Sequence, residues 1–387
     1  MTSTLFTPCP LGPLTVPNRI AVAPMCQYMA HDGVPNDWHL VHLGQFAQSG
    51  PGLICTEATG VEPEGRITPG CTGLWNDDQE AAWARILTFC RSVGPAKLGI
   101  QLAHAGRKAS TLPPWEGAGP VPKGQGEWQT VSASAEAYLP HWNVPEALDE
   151  AGIARVIGAF RQAAERSARA GFDFVEIHAA HGYLLSQFLS PRFNRRTDAY
   201  GGDIRQRSRA SVEVIEAVRE ELGRDIPLLV KMNCRDWAEG GLEPDDASQA
   251  AVLMQEAGAD AIEISSGLPR FSKFTPVRPG IDSEEKEAYH HLEATAFKKR
   301  LKVPLILVGG IRSFAVAERL VNGGVCDFIS MCRPFIREPG LVNRWKSGDR
   351  QPAACTSDNL CFGPIRKGDG FYCVTADKEK SMGRPVK

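Results

Sequence analysis

The 387-residue sequence has no excess of charge of either sign, because 43 lysines and arginines are matched by 45 aspartates and glutamates. A near-neutral chain without a basic block gives no electrostatic reason to bind nucleic acid or an anionic membrane. The sequence also has no apolar run that approaches the ~18 residues of a membrane-spanning helix. These absences argue against nucleic acid and membrane as partners.

Two further absences concern the cellular compartment. The N-terminus lacks the charged-then-apolar layout of a signal peptide. The eleven cysteines are scattered and odd in number, which argues against the disulfide framework of a secreted protein. We therefore expect a cytoplasmic protein.

What the sequence does contain is an alternation of strand-like and helix-like segments from about residue 18 to about residue 345. The strand-like runs are continuously apolar, as a parallel sheet covered on both faces requires. Several helix-like segments end at a glycine just before the next strand, as at Gly171 and Gly258. Eight such units predict an α/β fold, a (β/α)8 TIM barrel over residues 1–347 with a tail over 348–387.

The predicted elements have the following bounds. The strands are Ile20–Ala23, Leu53–Thr59, Lys97–Ala103, Asp173–His178, Pro227–Met232, Ala261–Ser265, Leu305–Val308 and Asp327–Ser330. The helices are Trp38–Gln48, Asp78–Arg91, Asp149–Ala170, Ile204–Leu222, Pro244–Ala257, Lys286–Lys299 and Phe314–Asn322. Residues 107–145 are rich in Pro, Gly and Trp and show no clear helix, so we expect this long loop to form a wall of a functional site.

Barrel enzymes place their sites on the loops that follow the strands, and two of these loops indicate a phosphate site. Gly309 and Gly310 follow the seventh strand, and Cys332 and Arg333 follow the eighth. Glycines let an anion approach the backbone, the next helix offers N–H groups, and Arg333 can add a charge-assisted pair. The alternative is that the two glycines only form a tight turn.

A phosphate site without a dinucleotide fingerprint fits a mononucleotide such as FMN. Gln101, at a strand end, can offer its amide to the pyrimidine edge of an isoalloxazine. Lys231 can place positive charge near the N1–O2 region, where charge accumulates on reduction. The convergence of these residues on one rim predicts a flavin site.

The segment HAAHGY, residues 178–183, follows the fourth strand. His178 and His181 can donate hydrogen bonds to a carbonyl oxygen, which polarises a conjugated C=C–C=O; one such donor is worth about 3–4 kcal/mol in the transition state. Tyr183 can then deliver a proton to the α-carbon. Two alternatives stay open on the motif alone: a metal site with His104 or Glu176 as third ligand, and histidines that only make core hydrogen bonds.

Seven segments together resemble the old yellow enzyme family of flavin-dependent ene-reductases, in the right order over about residues 5–345. They are Pro24-Met25-Cys26-Gln27-Tyr28, Asn36-Asp37-Trp38-His39, residues 64–70 (EGRITPG), residues 101–108 (QLAHAGRK), residues 176–183 (EIHAAHGY), residues 195–202 (RRTDAYGG) and Val308-Gly309-Gly310-Ile311-Arg312. The cysteine in the first segment and the Arg-Lys pair after His-Ala-Gly are similar to the thermophilic-like, or xenobiotic-reductase, branch.

The resemblance implies an NAD(P)H-dependent flavoprotein that reduces the activated C=C bond of unsaturated carbonyl, nitro or maleimide-type compounds in a ping-pong cycle. It implies that His178 and His181 bind the substrate carbonyl, that Tyr183 is the proton donor and that Tyr28 lines the pocket. The residues implied to bind FMN are Ala23, Pro24, Met25, Cys26, Ala58, Gln101, Lys231, Gly309, Gly310, Cys332 and Arg333. Relatives in this branch are homodimers or homotetramers, in which C-terminal arginines, here Arg337 or Arg344, reach a neighbouring site.

Two departures from the family pattern bear on these expectations. Position 23 is Ala where many relatives have a Ser or Thr, so only its backbone N–H can serve the flavin. In the tail, Cys355, Cys361 and Cys373 have the spacing of an iron–sulfur site in the dienoyl-CoA reductase branch, but Asp358 replaces a cysteine. We expect a vestigial tail, with weak cluster binding as the alternative. Rival functions are a specialised dienoyl-CoA-reductase-like enzyme and a metal-dependent barrel hydrolase or lyase.

Overall fold

Eight parallel strands close into a barrel in the computed structural model, which describes residues 3–383. The strands in chain order are β1 (Cys9–Leu11), β2 (Leu14–Val16), β3 (Ile20–Val22), β4 (Leu53–Gly60), β5 (Lys97–Ala103), β6 (Val131–Ser132), β7 (Glu146–Ala147), β8 (Phe174–Ala179), β9 (Leu228–Asn233), β10 (Ala261–Ser265), β11 (Leu305–Val308) and β12 (Phe328–Met331). The barrel consists of β3, β4, β5 and β8 to β12, and β12 pairs with β3 to close it. The predicted (β/α)8 barrel is confirmed.

Helices surround the barrel. They are α1 (Asp37–Ala47), α2 (Asp77–Val93), α3 (Glu150–Ala170), α4 (Leu184–Leu189), α5 (Ile204–Leu222), α6 (Pro244–Glu256), α7 (His291–Lys298), α8 (Phe314–Asn322), α9 (Arg333–Arg337), α10 (Leu341–Lys346), α11 (Phe362–Ile365) and α12 (Val374–Ser381). None of these helices combines the length and the hydropathy needed to span a bilayer.

Local sequence explains where several helices begin and end. Asn76 and Asp203 precede α2 and α5, and each accepts a hydrogen bond from the N–H of the third helical residue in a reciprocal capping box. Gly171 ends α3 in the left-handed conformation at φ 94°, as the glycine pattern predicts. These signals are local, so the predicted bounds of these helices lie close to the observed ones.

The side chains that point into the barrel form an apolar layer at its amino end. This layer packs against Cys9, Leu11 and Val16 of the β1–β2 hairpin, which covers that end. Gly99 on β5 leaves room for the Phe174 ring, since a Cβ at Gly99 would lie 2.1 Å from Phe174 Cε2. The inward-pointing members of the layer are Ala21, Leu53, Cys55, Phe174, Leu229, Ala261, Ile306 and Phe328.

All eight predicted strands match barrel strands with their ends within one residue, but several other features differ from the prediction. The predicted helix Lys286–Lys299 begins only at His291, because residues 284–286 form a separate 3-10 turn. The hairpin β1–β2 and the short helix α4 were not predicted. The tail from residue 348 packs back onto the barrel and contains α11 and α12; residues 384–387 of its predicted range, like residues 1–2 of the barrel's, lie outside the described residues.

Candidate active site

A cavity of about 450 Å³ lies at the carboxyl end of the barrel. The loop after β3, the loop after β8, the loop after β10 and the tail all contribute to its walls. Eight residues predicted from the sequence line it, namely Pro24, Met25, Cys26, Tyr28, His181, Tyr183, Cys332 and Arg333. Pro114, from the long loop that was expected to form a wall, also lines it. The size suits a ligand of drug or cofactor dimensions.

His178, His181 and Tyr183 form a cluster of rings at the edge of this cavity. The His178 ring centroid lies 5.1 Å from the centroids of both other rings. His178 Nδ1 accepts a hydrogen bond from the Ala180 N–H at 3.3 Å, which leaves the ring proton on Nε2. Burial, with Lys231 nearby, lowers the pKa of His178 to about 3. His178 is therefore a neutral hydrogen-bond donor at physiological pH.

His181 is held in a strained backbone conformation, with φ at 61°. Its N–H donates to Asn233 Oδ1 at 3.2 Å, and its Nε2 lies 2.8 Å from Ser265 Oγ. If the Ser265 hydroxyl donates to Nε2, Nδ1 carries the proton and can donate. Ser265 and Asn233 were not predicted as site residues. The signal that indicates them is their position, since each is the last residue of a barrel strand.

Tyr183 and Cys26 meet the cavity in their protonated forms. Burial raises the pKa of the Tyr183 phenol well above its usual value. Burial, together with Glu57, also raises the pKa of the Cys26 thiol. Ala58 lies beside Tyr183, where the two line a small recess. A phenol of raised pKa keeps its proton until a more basic carbon or oxygen takes it.

Below the rim, the barrel interior contains a layer of paired polar side chains. Gln101 Nε2 donates to Glu176 Oε1 at 2.6 Å, and Lys231 Nζ donates to Glu263 Oε1 at 2.7 Å. Burial lowers the pKa of Lys231, but Glu263 and Glu176 outweigh it and hold that pKa above its usual value. The lysine is therefore charged, and its charge is partly balanced by Glu263.

A smaller cavity of about 50 Å³ adjoins the main one, and Cys332 and Arg333 line both. Gly310 and Ile311 line the smaller cavity as well. Arg333 Nη1 donates to Asn359 Oδ1 of the tail at 2.7 Å. Gly309 lies beneath it and accepts a hydrogen bond from the Tyr289 N–H at 3.2 Å.

Two details of the predicted cofactor site are wrong. The N–H groups of Arg312 and Ser313, at the start of α8, are not free for an anion because Glu287 Oε2 accepts from both, at 2.8 and 2.9 Å. The Ala23 N–H cannot serve the flavin either, because it donates to Met331 O at 2.9 Å as part of the barrel's closing ladder.

The alternative of a metal bound by His178 and His181 requires a third ligand, and residues 3–383 do not supply one. His104 Nε2 lies 2.8 Å from Glu62 Oε1, and Glu176 is paired with Gln101. Within residues 3–383, the group of three or more close potential ligands lies elsewhere and does not include His178 or His181. The geometry therefore favours the carbonyl-binding interpretation.

The tail contributes to the cavity in a way that its cysteines did not indicate. Phe362, Ile365, Arg366 and Phe371 line the main cavity. Asp358, which replaces a cysteine, accepts hydrogen bonds from the hydroxyls of Thr356 and Thr375 at 2.8 and 2.6 Å. These bonds tie the loop before α11 to the start of α12. The aromatic residues of the tail were the signal that the sequence analysis overlooked.

Arg337 and Arg344, predicted to reach a neighbouring subunit, are paired within their own chain. Arg337 is buried and bonded to Glu379. Arg344 Nε lies 2.9 Å from Glu338 Oε1. Both guanidinium groups are thus engaged within their own chain, and contact with a neighbouring subunit stays a prediction for these two residues.

Comparisons with known proteins place these observations in context. The family described as NADH:flavin oxidoreductase / NADH oxidase matches residues 4–351. An NADH:flavin oxidoreductase of Gibberella zeae is 41% identical over 354 residues, which cover 87% of this chain and 84% of the relative. An NADPH dehydrogenase of Bacillus velezensis is 36% identical over 341 residues, covering 88% and 93%. The structure of the old yellow enzyme homologue from Zymomonas mobilis is 27% identical with a TM-score of 0.72, covering 92% and 96%.

Proposed function

The chain belongs to the NADH:flavin oxidoreductase / NADH oxidase family, the FMN-dependent oxidoreductases of old yellow enzyme type, and from this premise we propose that it is an NAD(P)H-dependent ene-reductase. It reduces the activated C=C bond of a small α,β-unsaturated carbonyl, nitro or maleimide-type compound. The observation that carries the proposal is the cluster of two neutral histidines and a protonated tyrosine at the edge of one cavity.

The two histidines bind the substrate carbonyl oxygen. His178 offers its Nε2–H, because Nδ1 is engaged by the Ala180 N–H. His181 offers Nδ1–H when the Ser265 hydroxyl donates to Nε2. Two fixed donors of this kind stabilise the negative charge that develops on the oxygen, at about 3–4 kcal/mol each. Because both rings are neutral, each has one N–H to donate to the carbonyl oxygen.

Tyr183 delivers the proton to the α-carbon. Its ring lies 5.1 Å from that of His178, so the proton donor and the carbonyl-binding residue address neighbouring atoms of one substrate. The raised pKa of its phenol keeps the proton in place until the α-carbon becomes basic. Tyr28, which lines the same cavity, completes the substrate pocket.

The residues present fit an FMN. The main cavity, lined by Pro24, Met25 and Cys26, offers room for the ring system, and the adjoining one at Gly310 and Arg333 offers a place for the phosphate. The remaining residues that we propose to hold it are Ala58, Gln101, Lys231, Gly309 and Cys332. Only the backbone N–H of Ala23 is excluded, since it is used by the barrel. When bound, FMN supplies the hydride that attacks the β-carbon of the substrate.

We infer that NADPH or NADH reduces the flavin and leaves before the substrate enters the same cavity. The cavity has one set of walls for both, so the two half-reactions alternate. A homodimer or homotetramer, and membership of the thermophilic-like branch, stay predictions.

Anaerobic spectroscopy on the purified protein tests the proposal. We expect a yellow protein that bleaches on addition of NADPH or NADH and regains its colour with 2-cyclohexenone but not with cyclohexanone. Enoyl-CoA thioesters in the same stopped-flow panel separate the simple ene-reductase from the dienoyl-CoA-reductase-like alternative. A colourless protein with stoichiometric zinc at His178 and His181 would refute the flavin proposal.

A second experiment tests the role of the histidines. The double variant His178→Ala/His181→Ala is expected to lose most of its affinity for phenols, which mimic the enolate oxygen, while its FMN affinity changes little. Loss of one donor costs about 10²–10³-fold in rate, so turnover of the enone should fall at least that far. Unchanged phenol affinity in the double variant would contradict the assignment.

A further inference from the structure

Three potential metal ligands lie together behind the rim of the barrel. Cys234 directly follows β9, while His290 and Glu293 lie at the start of α7, three residues apart and so on one face of the helix. One sulfur, one ring nitrogen and one carboxylate oxygen of this group all lie within 4.8 Å of one another. Cys234 is fully buried and His290 is 1% exposed.

The hydrogen bonding of His290 leaves one nitrogen available to a ligand. His290 Nε2 lies 3.2 Å from Ser266 Oγ, which also accepts a hydrogen bond from Trp237 Nε1 at 3.2 Å. His290 Nδ1 is buried and has no hydrogen-bond partner. A metal-binding histidine commonly donates its second ring N–H to an oxygen, and Ser266 is placed to accept it. His290 therefore has a buried, unpartnered nitrogen, and a thiol and a carboxylate lie near its ring. Together these observations point to a ligand.

We propose that Cys234, His290 and Glu293 bind a divalent transition-metal ion of the zinc type, with a fourth position open to water. Sulfur, imidazole nitrogen and carboxylate oxygen are the three ligand types that Zn²⁺ takes in proteins, and three protein ligands suffice for a site with one open position. Ligand atoms around tetrahedral zinc lie roughly 3.5 Å apart, so the group contracts slightly on binding. The half-buried Glu293 is the side chain with most freedom to do so.

Charge balance supports a dication at this position. Binding replaces the S–H bond of Cys234 by a metal–sulfur bond and releases that proton to solvent. The thiolate and the Glu293 carboxylate then cancel the two charges of the ion.

The positive charge of Arg278 disfavours a cation at this position. Its guanidinium lies over the rings of Trp237, Phe274 and Tyr289, at 5.3, 4.4 and 4.1 Å from their centroids. It is close enough to Cys234 and Glu293 to interact with both electrostatically. Removing its charge should therefore tighten binding by about tenfold or more, whereas metal held by other cysteines would not respond.

Cys234, His290 and Glu293 do not line the main cavity, and the existence of the site does not depend on the proposed function. Ser265 ends β10 and Ser266 directly follows it, and their hydroxyls contact His181 and His290 respectively. His181 lines the main cavity, whereas His290 does not.

Cobalt titration of the FMN-loaded protein tests the proposal. We expect one equivalent of Co²⁺ to give d–d bands to the red of the oxidised flavin absorption, and Zn²⁺ to abolish them. Cys234→Ser, His290→Gln and Glu293→Gln should each weaken the bands and lower the affinity at least about tenfold. The matched control is Cys355→Ser/Cys361→Ser, which removes two cysteines of the tail. This variant should bind Co²⁺ as the wild type does.

Flavin content reports whether each variant folds. Cys234→Ser or His290→Gln could lose its flavin because it fails to fold. In that case Glu293→Gln and Arg278→Gln decide whether the metal site exists, because both positions are only partly buried and should tolerate substitution. Tighter binding in Arg278→Gln and weaker binding in Glu293→Gln support the site. The proposal is overturned if the wild type gives no such bands, or if they persist in Glu293→Gln and vanish in Cys355→Ser/Cys361→Ser.

Discussion

The two ends of the barrel are made from the same strands but have opposite chemistry. On β8, Phe174 points into the apolar layer at the amino end, and two residues later Glu176 points into the polar layer. On β9, Leu229 and Lys231 have the same relation. The amino end is covered by the β1–β2 hairpin, whereas the carboxyl end opens into the cavity.

On each of these strands, a residue that stabilises the fold and a residue of the polar layer lie only two positions apart. The apolar layer stabilises the fold through burial and close packing. The polar layer has a desolvation cost that is offset where buried groups are paired, as in Lys231–Glu263 and Gln101–Glu176. Substitutions in the two layers should therefore affect different measurements.

The largest effect is expected at the carboxyl end. Tyr183→Phe removes the proposed proton donor and should slow flavin reoxidation by an enone by about 10²–10⁴-fold. Reduction by NAD(P)H should hardly change, and stopped-flow spectroscopy measures the two half-reactions separately. Tyr200→Phe, which removes a hydroxyl bonded to Glu213 far from the cavity, is the control. A Tyr183→Phe variant slowed only in the reductive half-reaction would show that the role is wrongly assigned.

The reverse pattern is expected at the amino end. Phe174→Ala leaves a cavity in the apolar layer and should lower the free energy of unfolding by about 3–5 kcal/mol. The rate of reoxidation per bound flavin should stay close to the wild-type rate. Urea unfolding measures the first quantity, and Phe89→Ala, at a position 38% exposed, provides a comparison. Equal losses of stability in the two variants would mean that the layer is less tightly packed than the structure shows.

A smaller effect is expected where the tail meets the rim. Asn359→Ala removes the acceptor that orients Arg333 and should raise the dissociation constant of FMN about two- to tenfold, which corresponds to about 0.5–1.5 kcal/mol. Fluorescence titration of the flavin-free protein gives this constant. An unchanged constant would show that Arg333 does not depend on the tail for its orientation.

No effect is expected from pH between 5 and 8 on the binding of a non-ionisable carbonyl ligand. Burial lowers the pKa of His178 to about 3, so the ring is neutral throughout this range. The sign for stability follows from the same shift. Burying the neutral ring stabilises the fold above the unfolded-state pKa of about 6.5, and this contribution is lost as pH falls from there towards 3. Carbonyl binding that strengthens as pH falls through 6.5 would indicate a charged histidine instead.

The barrel could be predicted from the sequence because its signals are local. Continuous apolar runs indicate the strands, and the positions directly after them indicate the rim, where Cys26, His181 and Arg333 are found as expected. Alternation along each run also determines which residues point inward, as for Gln101 and Lys231.

The errors arise where contacts join distant parts of the chain. Glu287 reaches the start of α8 across 25 residues, and nothing in its own neighbourhood indicates this contact. The Ala23 N–H donates to the carbonyl of Met331, more than 300 residues away, because the last barrel strand pairs with the first. Phe362 and Phe371 line the cavity only because the tail folds back. Such contacts depend on the closed fold, not on local pattern.

The hairpin at the amino end has a kinetic consequence. Leu11 and Val16 of the hairpin are fully buried at the amino end, and the cavity of the candidate active site lies at the carboxyl end. If reductant and substrate both use this cavity, as the proposed function requires, they must occupy it in turn. Each reactant present in excess should therefore act as a competitive inhibitor against the other, so that steady-state velocity passes through a maximum as either concentration increases.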